Sequence, residues 1–103
     1  MKIIEKLEDL IDEEISDVGK YAKLAAEVKN TNPSLAQVFY NLSVQEDAHQ
    51  AALHGEVVKL IEGYRKTKGE PPKEMLAIYD FLHKKHIDKL ANARRYQDVY
   101  KNT

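Results

Sequence analysis

The chain has 103 residues, with 16 basic and 17 acidic side chains and no cysteine. This length predicts one domain spanning residues 1–103, and its small core makes oligomerisation a natural expectation. Disulfides, thiolate metal sites and cysteine nucleophiles are excluded. No apolar run approaches the roughly 20 residues that cross a bilayer, and the acidic N-terminal segment does not resemble a signal peptide. We therefore expect a cytoplasmic protein with no membrane partner.

The first predicted helix, α1, covers about residues 3–29. Its apolar side chains recur at steps of three and four and form one stripe, made of Ile4, Leu7, Ile11, Val18, Tyr21, Ala25 and Val28. Glu14 interrupts this stripe, and Asp17 follows beside it. An ionised carboxylate on the inner face of a bundle costs several kcal/mol unless it is paired or binds a cation.

The second predicted helix, α2, covers about residues 33–67. Asn32 is its predicted N-cap, Pro33 suits the first helical position, and Gly69 suits the stop. The apolar stripe of α2 is interrupted by Glu46 and His49.

The third predicted helix, α3, covers about residues 72–101 and opens after two prolines. Its stripe contains His83 and His86, with Asp80 one turn before His83. No segment has the pattern of a strand, so we predict an all-α antiparallel bundle of three long helices. Two arrangements are open: α3 closes a three-helix bundle, or two chains pair their α1–α2 hairpins into a four-helix bundle. We favour the second.

Counting residues from the loops predicts which polar interruptions meet. Glu14 lies about 17 residues before the first loop centre, and Glu46 and His49 lie about 15 to 18 after it, so these three should share one level. Asp80 and His83 should lie two to three turns away, roughly 12–16 Å along the bundle.

The Glu-x-x-His spacing of Glu46 and His49 puts both side chains on one helix face, one turn apart. A carboxylate there can bridge two metal ions while the imidazole binds one of them, and oxygen and nitrogen donors without sulfur suit iron, manganese or zinc. The predicted metal ligands are Glu14, Glu46, His49, Asp80 and His83.

These residues resemble those of the ferritin-like superfamily, in particular the rubrerythrin-like and encapsulated-ferritin-like proteins. The stretch "EISDVGKYAKLA" contains Glu14 and Tyr21, and "NPSLAQVFYNLSVQEDAH" ends in the Glu-x-x-His motif. The resemblance covers about residues 8–60. It implies a centre of two iron ions, with Glu46 bridging, Glu14 bridging or terminal, and His49 terminal. It also implies oxidation of Fe(II) by dioxygen or peroxide, or reduction of peroxide.

A full ferritin-like chain has four helices and two such half-motifs, whereas three helices are predicted here. Either one chain supplies all five ligands, with Asp17 or Glu56 as the remaining carboxylate, or two chains each supply Glu14, Glu46 and His49 in a homodimer or higher homo-oligomer.

The alternative function is a helical scaffold for oligomerisation or interaction without metal. In that interpretation, Asp80 and His83 lie on a solvated surface turn. In either interpretation we expect His54, which is off the stripe, to be exposed. We expect no nucleic-acid partner, because the basic segment at residues 84–95 is interrupted by Asp88 and lacks interleaved aromatic side chains.

Overall fold

The computed structural model describes residues 1–102 and contains three long helices. They are α1 (Lys2–Val28), α2 (Pro33–Lys68) and α3 (Lys73–Asn102). The bundle measures 56 × 18 × 18 Å, with α2 antiparallel to both α1 and α3. No strand occurs within residues 1–102, so the all-helical prediction is confirmed. None of the described helices is long and apolar enough to cross a membrane.

Local sequence signals set the ends of α2. The Asn32 side chain accepts a hydrogen bond from the Leu35 backbone N–H at 3.1 Å, and Pro33 occupies the first turn. At the other end, Gly69 has a φ of +86° and its N–H donates to the Arg65 carbonyl at 3.2 Å. Glycine adopts such a positive φ without a Cβ penalty, so the helix stops there.

α1 is the central helix of the bundle. It packs along both of its neighbours, while α2 and α3 approach each other mainly through long side chains. Its fully or almost fully buried residues are Ile4, Ile11, Ile15, Val18, Ala22 and Ala25. Gly19 allows a close approach to α3, since a Cβ there would lie 3.4 Å from the Cβ of Ala93. Four residues of the predicted stripe are therefore in the core. Ile15 and Ala22 join them from outside the predicted stripe, and its remaining members are half-buried.

α3 packs against the α1–α2 pair within one chain, which is the first of the two arrangements considered above. Glu8 and Asp12 lie on the side of α1 that faces α3. The opposite side of α1 points away from α3. That opposite side and the adjoining side of α2 form what we call the open flank. It carries the exposed apolar residues Ile3, Leu10, Leu35 and Val38. Completion of a four-helix bundle by a second chain stays a proposal.

Candidate metal centre

Glu14 of α1 and Glu46 and His49 of α2 converge on the open flank. One donor atom from each lies within 4.8 Å of the other two, and within residues 1–102 no other group of three histidines or carboxylates does so. His49 Nδ1 is 3.7 Å from Glu14 Oε2 and 3.6 Å from Glu46 Oε1. The three residues meet at one level because the helices are antiparallel and joined by a short loop.

The two carboxylates are mostly buried and the imidazole is not. The side chains of Glu14 and Glu46 are 25% and 19% exposed, against 60% for His49. Glu14 Oε2 is fully buried, and within the described chain it makes no hydrogen bond, since 3.7 Å to His49 is too long for one. An unsatisfied buried acceptor costs about 1–3 kcal/mol, more when charged.

This donor set fits a metal ion. A cation between the carboxylates would satisfy the buried Glu14 oxygen, and two oxygen donors with one imidazole suit iron, manganese or zinc. A single chain gathers three donors there, and the exposed His49 ring faces the open flank, from which further donors could arrive.

Asp80 and His83 lie elsewhere. Asp80 pairs with Lys84, Oδ2 to Nζ at 3.0 Å, and both side chains are exposed. The His83 ring stacks on His54, with centroids 4.7 Å apart and planes 13° from parallel. His54 is about two turns beyond Glu46 and faces α3, so the structure does not bring Asp80 or His83 to the cluster. Metal binding by the five predicted residues stays a prediction.

The two spare carboxylates considered for the centre have local lysine partners. Asp17 lies 3.5 Å from Lys20, and Glu56 lies 3.2 Å from Lys59, each on its own helix. Neither belongs to the group of converging donors.

Asp47, between the two α2 donors, points the other way and anchors α2 to α3. Arg94 donates to it through Nε and Nη2, each at 2.8 Å, and Gln50 Nε2 donates at 3.1 Å. The hydrogen bonding from Arg94 is the main cause that holds the pKa of Asp47 below its usual value. Because Asp47 is fixed towards α3, Glu46 and His49 are turned towards the open flank. Sequence reasoning missed this anchor.

A buried acid–base pair joins α1 to α3. Glu8 Oε2 is 3.2 Å from His86 Nδ1, and His86 Nε2 is 3.7 Å from Asp12. Burial is the main cause that raises the pKa of Glu8 and lowers that of His86, which favours the neutral form of each. The signal was present in the sequence, because Glu8 and Asp12 are four residues apart and so share a face of α1.

Comparison with known proteins gives one match. A family model described as Rubrerythrin matches residues 5–92, a span that contains Glu14, Glu46 and His49. No curated protein and no solved structure matches the chain.

Proposed function

The chain belongs to the rubrerythrin family, and from that membership we propose that it binds iron through Glu14, Glu46 and His49 and oxidises Fe(II) or reduces peroxide. The observation that carries the proposal is the convergence of three donor atoms within 4.8 Å around a buried Glu14 oxygen without a hydrogen bond. Family membership supports iron as the metal.

The chain's own residues would bind the ions and hold them in place. Glu46 and Glu14 supply negative charge in a partly dehydrated position, where carboxylates bind cations more strongly than in water. His49 supplies a neutral nitrogen donor. Bound iron would supply the redox chemistry: reduction of one peroxide to two waters takes two electrons from two ferrous ions and two protons from solvent.

We also propose that a second copy completes the centre. Two chains would bring four carboxylates and two imidazoles, the donor set of di-metal carboxylate bundles. The open flank supports this arrangement because apolar side chains lie on it on both sides of the cluster along the bundle axis, Ile3 and Leu10 on one side and Leu35 and Val38 on the other. Pairing of two flanks would bury these side chains and the exposed face of His49.

The test is metal counting by native mass spectrometry. Metal-free protein is loaded anaerobically with Fe(II), and with Mn(II) in parallel. One ion per chain in a dimer supports the shared centre, whereas two per chain in a monomer contradicts it. The absence of bound iron would refute the iron proposal altogether.

A matched pair of variants tests the residues. Glu46→Gln should lose the bound iron, whereas Glu56→Gln should keep it, because Glu56 is exposed and its partner is Lys59. Oxygen consumption after addition of Fe(II) then measures the reaction. Equal metal content in the two variants would mean that the ligands are misassigned.

A metal-free scaffold is the second candidate. It is favoured by large apolar side chains on the outer surface of α3, of which Phe81 is 66% exposed. The scaffold is the better description if two results hold. The wild type binds no iron, and the double variant Glu46→Leu, His49→Leu has the same assembly state and stability as the wild type.

A further inference from the structure

Three of the four histidines lie together on the side of the bundle away from the open flank. His54, His83 and His86 all line a cavity of about 200 Å³ between α2 and α3. Its other walls include apolar Ile87 and Leu90. His54 comes about 16 residues before the second loop centre, and His83 and His86 about 13 to 16 after it, so the antiparallel pairing of α2 and α3 brings them to one level.

We propose that His54 and His83 bind a divalent transition-metal ion that prefers nitrogen donors, such as Zn²⁺, at a second site that links α2 to α3. The separation of the two rings carries this inference. Two imidazoles on one tetrahedral zinc, with Zn–N bonds of about 2.0–2.1 Å, have ring centroids about 5 Å apart. The observed separation is 4.7 Å, with the planes 13° from parallel, so the two rings are close enough to share an ion once each turns out of the stack to direct a nitrogen at it.

The surroundings of the pair favour binding. His54 is partly buried, so the protein holds one of the two rings in place. His83 is exposed, so an ion can reach the pair from solvent. Asp80, one turn before His83, brings negative charge to the same side, although its carboxylate also pairs with Lys84.

His86 is a wall of this cavity rather than a third ligand. Its two ring nitrogens lie 3.2 Å from Glu8 and 3.7 Å from Asp12, both on α1. Water would therefore fill the remaining coordination positions of the ion. Two imidazoles without a protein carboxylate select for nitrogen-preferring ions, whereas Glu14 and Glu46 provide an oxygen-rich site, so the two sites should differ in metal preference.

The site has a structural consequence. The backbones of α2 and α3 have few close approaches, and the two helices meet mainly through side chains. An ion held by His54 and His83 would link them in the folded state only. Binding should therefore raise the melting temperature, whether or not the Glu14 cluster binds iron.

The experiment measures Zn²⁺-dependent thermal unfolding in a His49→Ala background, which removes the imidazole of the other cluster. With Zn²⁺ at a hundredfold excess over its Kd, the melting temperature should rise by about 10 °C or more. Adding His54→Ala or His83→Ala should abolish the rise, while adding His86→Gln should preserve it. An equal rise in all variants would indicate adventitious surface binding and overturn the proposal.

Imidazole NMR of the unsubstituted chain provides a second readout that does not depend on variants folding well. Addition of Zn²⁺ should shift the ring nitrogen resonances of both His54 and His83 at the same metal concentration and leave those of His86 in place. Shifts confined to His49, or no shift at all, would refute the second site.

Discussion

Removal of the Arg94 guanidinium tests whether the anchor on Asp47 holds α2 to α3. Arg94→Ala deletes two charge-assisted hydrogen bonds of 2.8 Å. Breaking a buried pair costs about 3–5 kcal/mol and an exposed pair contributes about 0.2–1 kcal/mol. Here Asp47 is 16% exposed and Arg94 is 52% exposed, so solvent screens part of the interaction. We expect a loss of about 2 kcal/mol in the free energy of unfolding, or roughly 8–16 °C in melting temperature.

The effect should depend on pH with a defined sign. The folded-state pKa of Asp47 is lowered, so its contribution to stability is present above the unfolded value of about 3.9 and is lost as the pH falls through the folded value. The difference between the wild type and Arg94→Ala should therefore be constant near pH 7. It should shrink once the pH drops below about 4.

Urea unfolding of the metal-free protein, followed by circular dichroism at pH 7 and at pH 3, measures both effects. Lys84→Ala is the control, because it breaks the Asp80–Lys84 pair in which both side chains are mostly exposed. It should cost less than about 1 kcal/mol. Equal losses in the two variants, or a loss for Arg94→Ala that is the same at both pH values, would refute the reasoning.

Three further predictions use the same unfolding measurement. Ser43→Ala should lose about 1–2 kcal/mol, because the buried hydroxyl donates to the Val18 carbonyl at 2.7 Å and accepts from Gln97 at 3.0 Å; no loss would mean that water replaces it. Gly55→Ala should gain about 0.5–1 kcal/mol, since it lies within α2 and no described atom would lie within 4 Å of the new Cβ; a loss would contradict this. Glu8→Gln should become more stable relative to the wild type as the pH rises from about 4 to 7, because burial raises the folded pKa of Glu8 and its ionisation opposes folding; an unchanged difference would be inconsistent with that shift.

The three helices could be predicted from local sequence signals. The meeting of Glu14 with Glu46 and His49 at one height along the bundle could be predicted by counting residues from the loop. The Asn32–Pro33 start and the Gly69 stop are short-range signals, and the structure shows both. The apolar stripe of α1 was predicted only in part, because the buried face also includes Ile15 and Ala22. Counting residues from the first loop places Glu14 opposite Glu46 and His49 because straight antiparallel helices keep their register. The proximity of these residues follows from the sequence, whereas their metal binding does not.

The contacts of α2 with α3 could not be predicted in the same way. α2 packs against α1 with one side and against α3 with another, so a residue off the main stripe can still be partly buried. His54 was expected to be exposed and is instead partly buried against His83. α3 also has exposed apolar residues, including Ile78, Phe81 and Ile87. Its hydrophobic pattern alone therefore does not predict which side of the helix faces the bundle.

The rotation of α2 about its axis determines which chain can supply further ligands to the group formed by Glu14, Glu46 and His49. Neighbouring residues of a helix point about 100° apart, so with Asp47 held towards α3 by Arg94, Glu46 is turned away from α3. For α3 to add a ligand to this cluster, α2 would have to rotate, break the Asp47–Arg94 pair and separate the stacked His54 and His83 rings. A second copy approaching the open flank breaks none of these contacts. The anchor that stabilises the three-helix bundle therefore favours a centre shared between two chains over one built within a single chain.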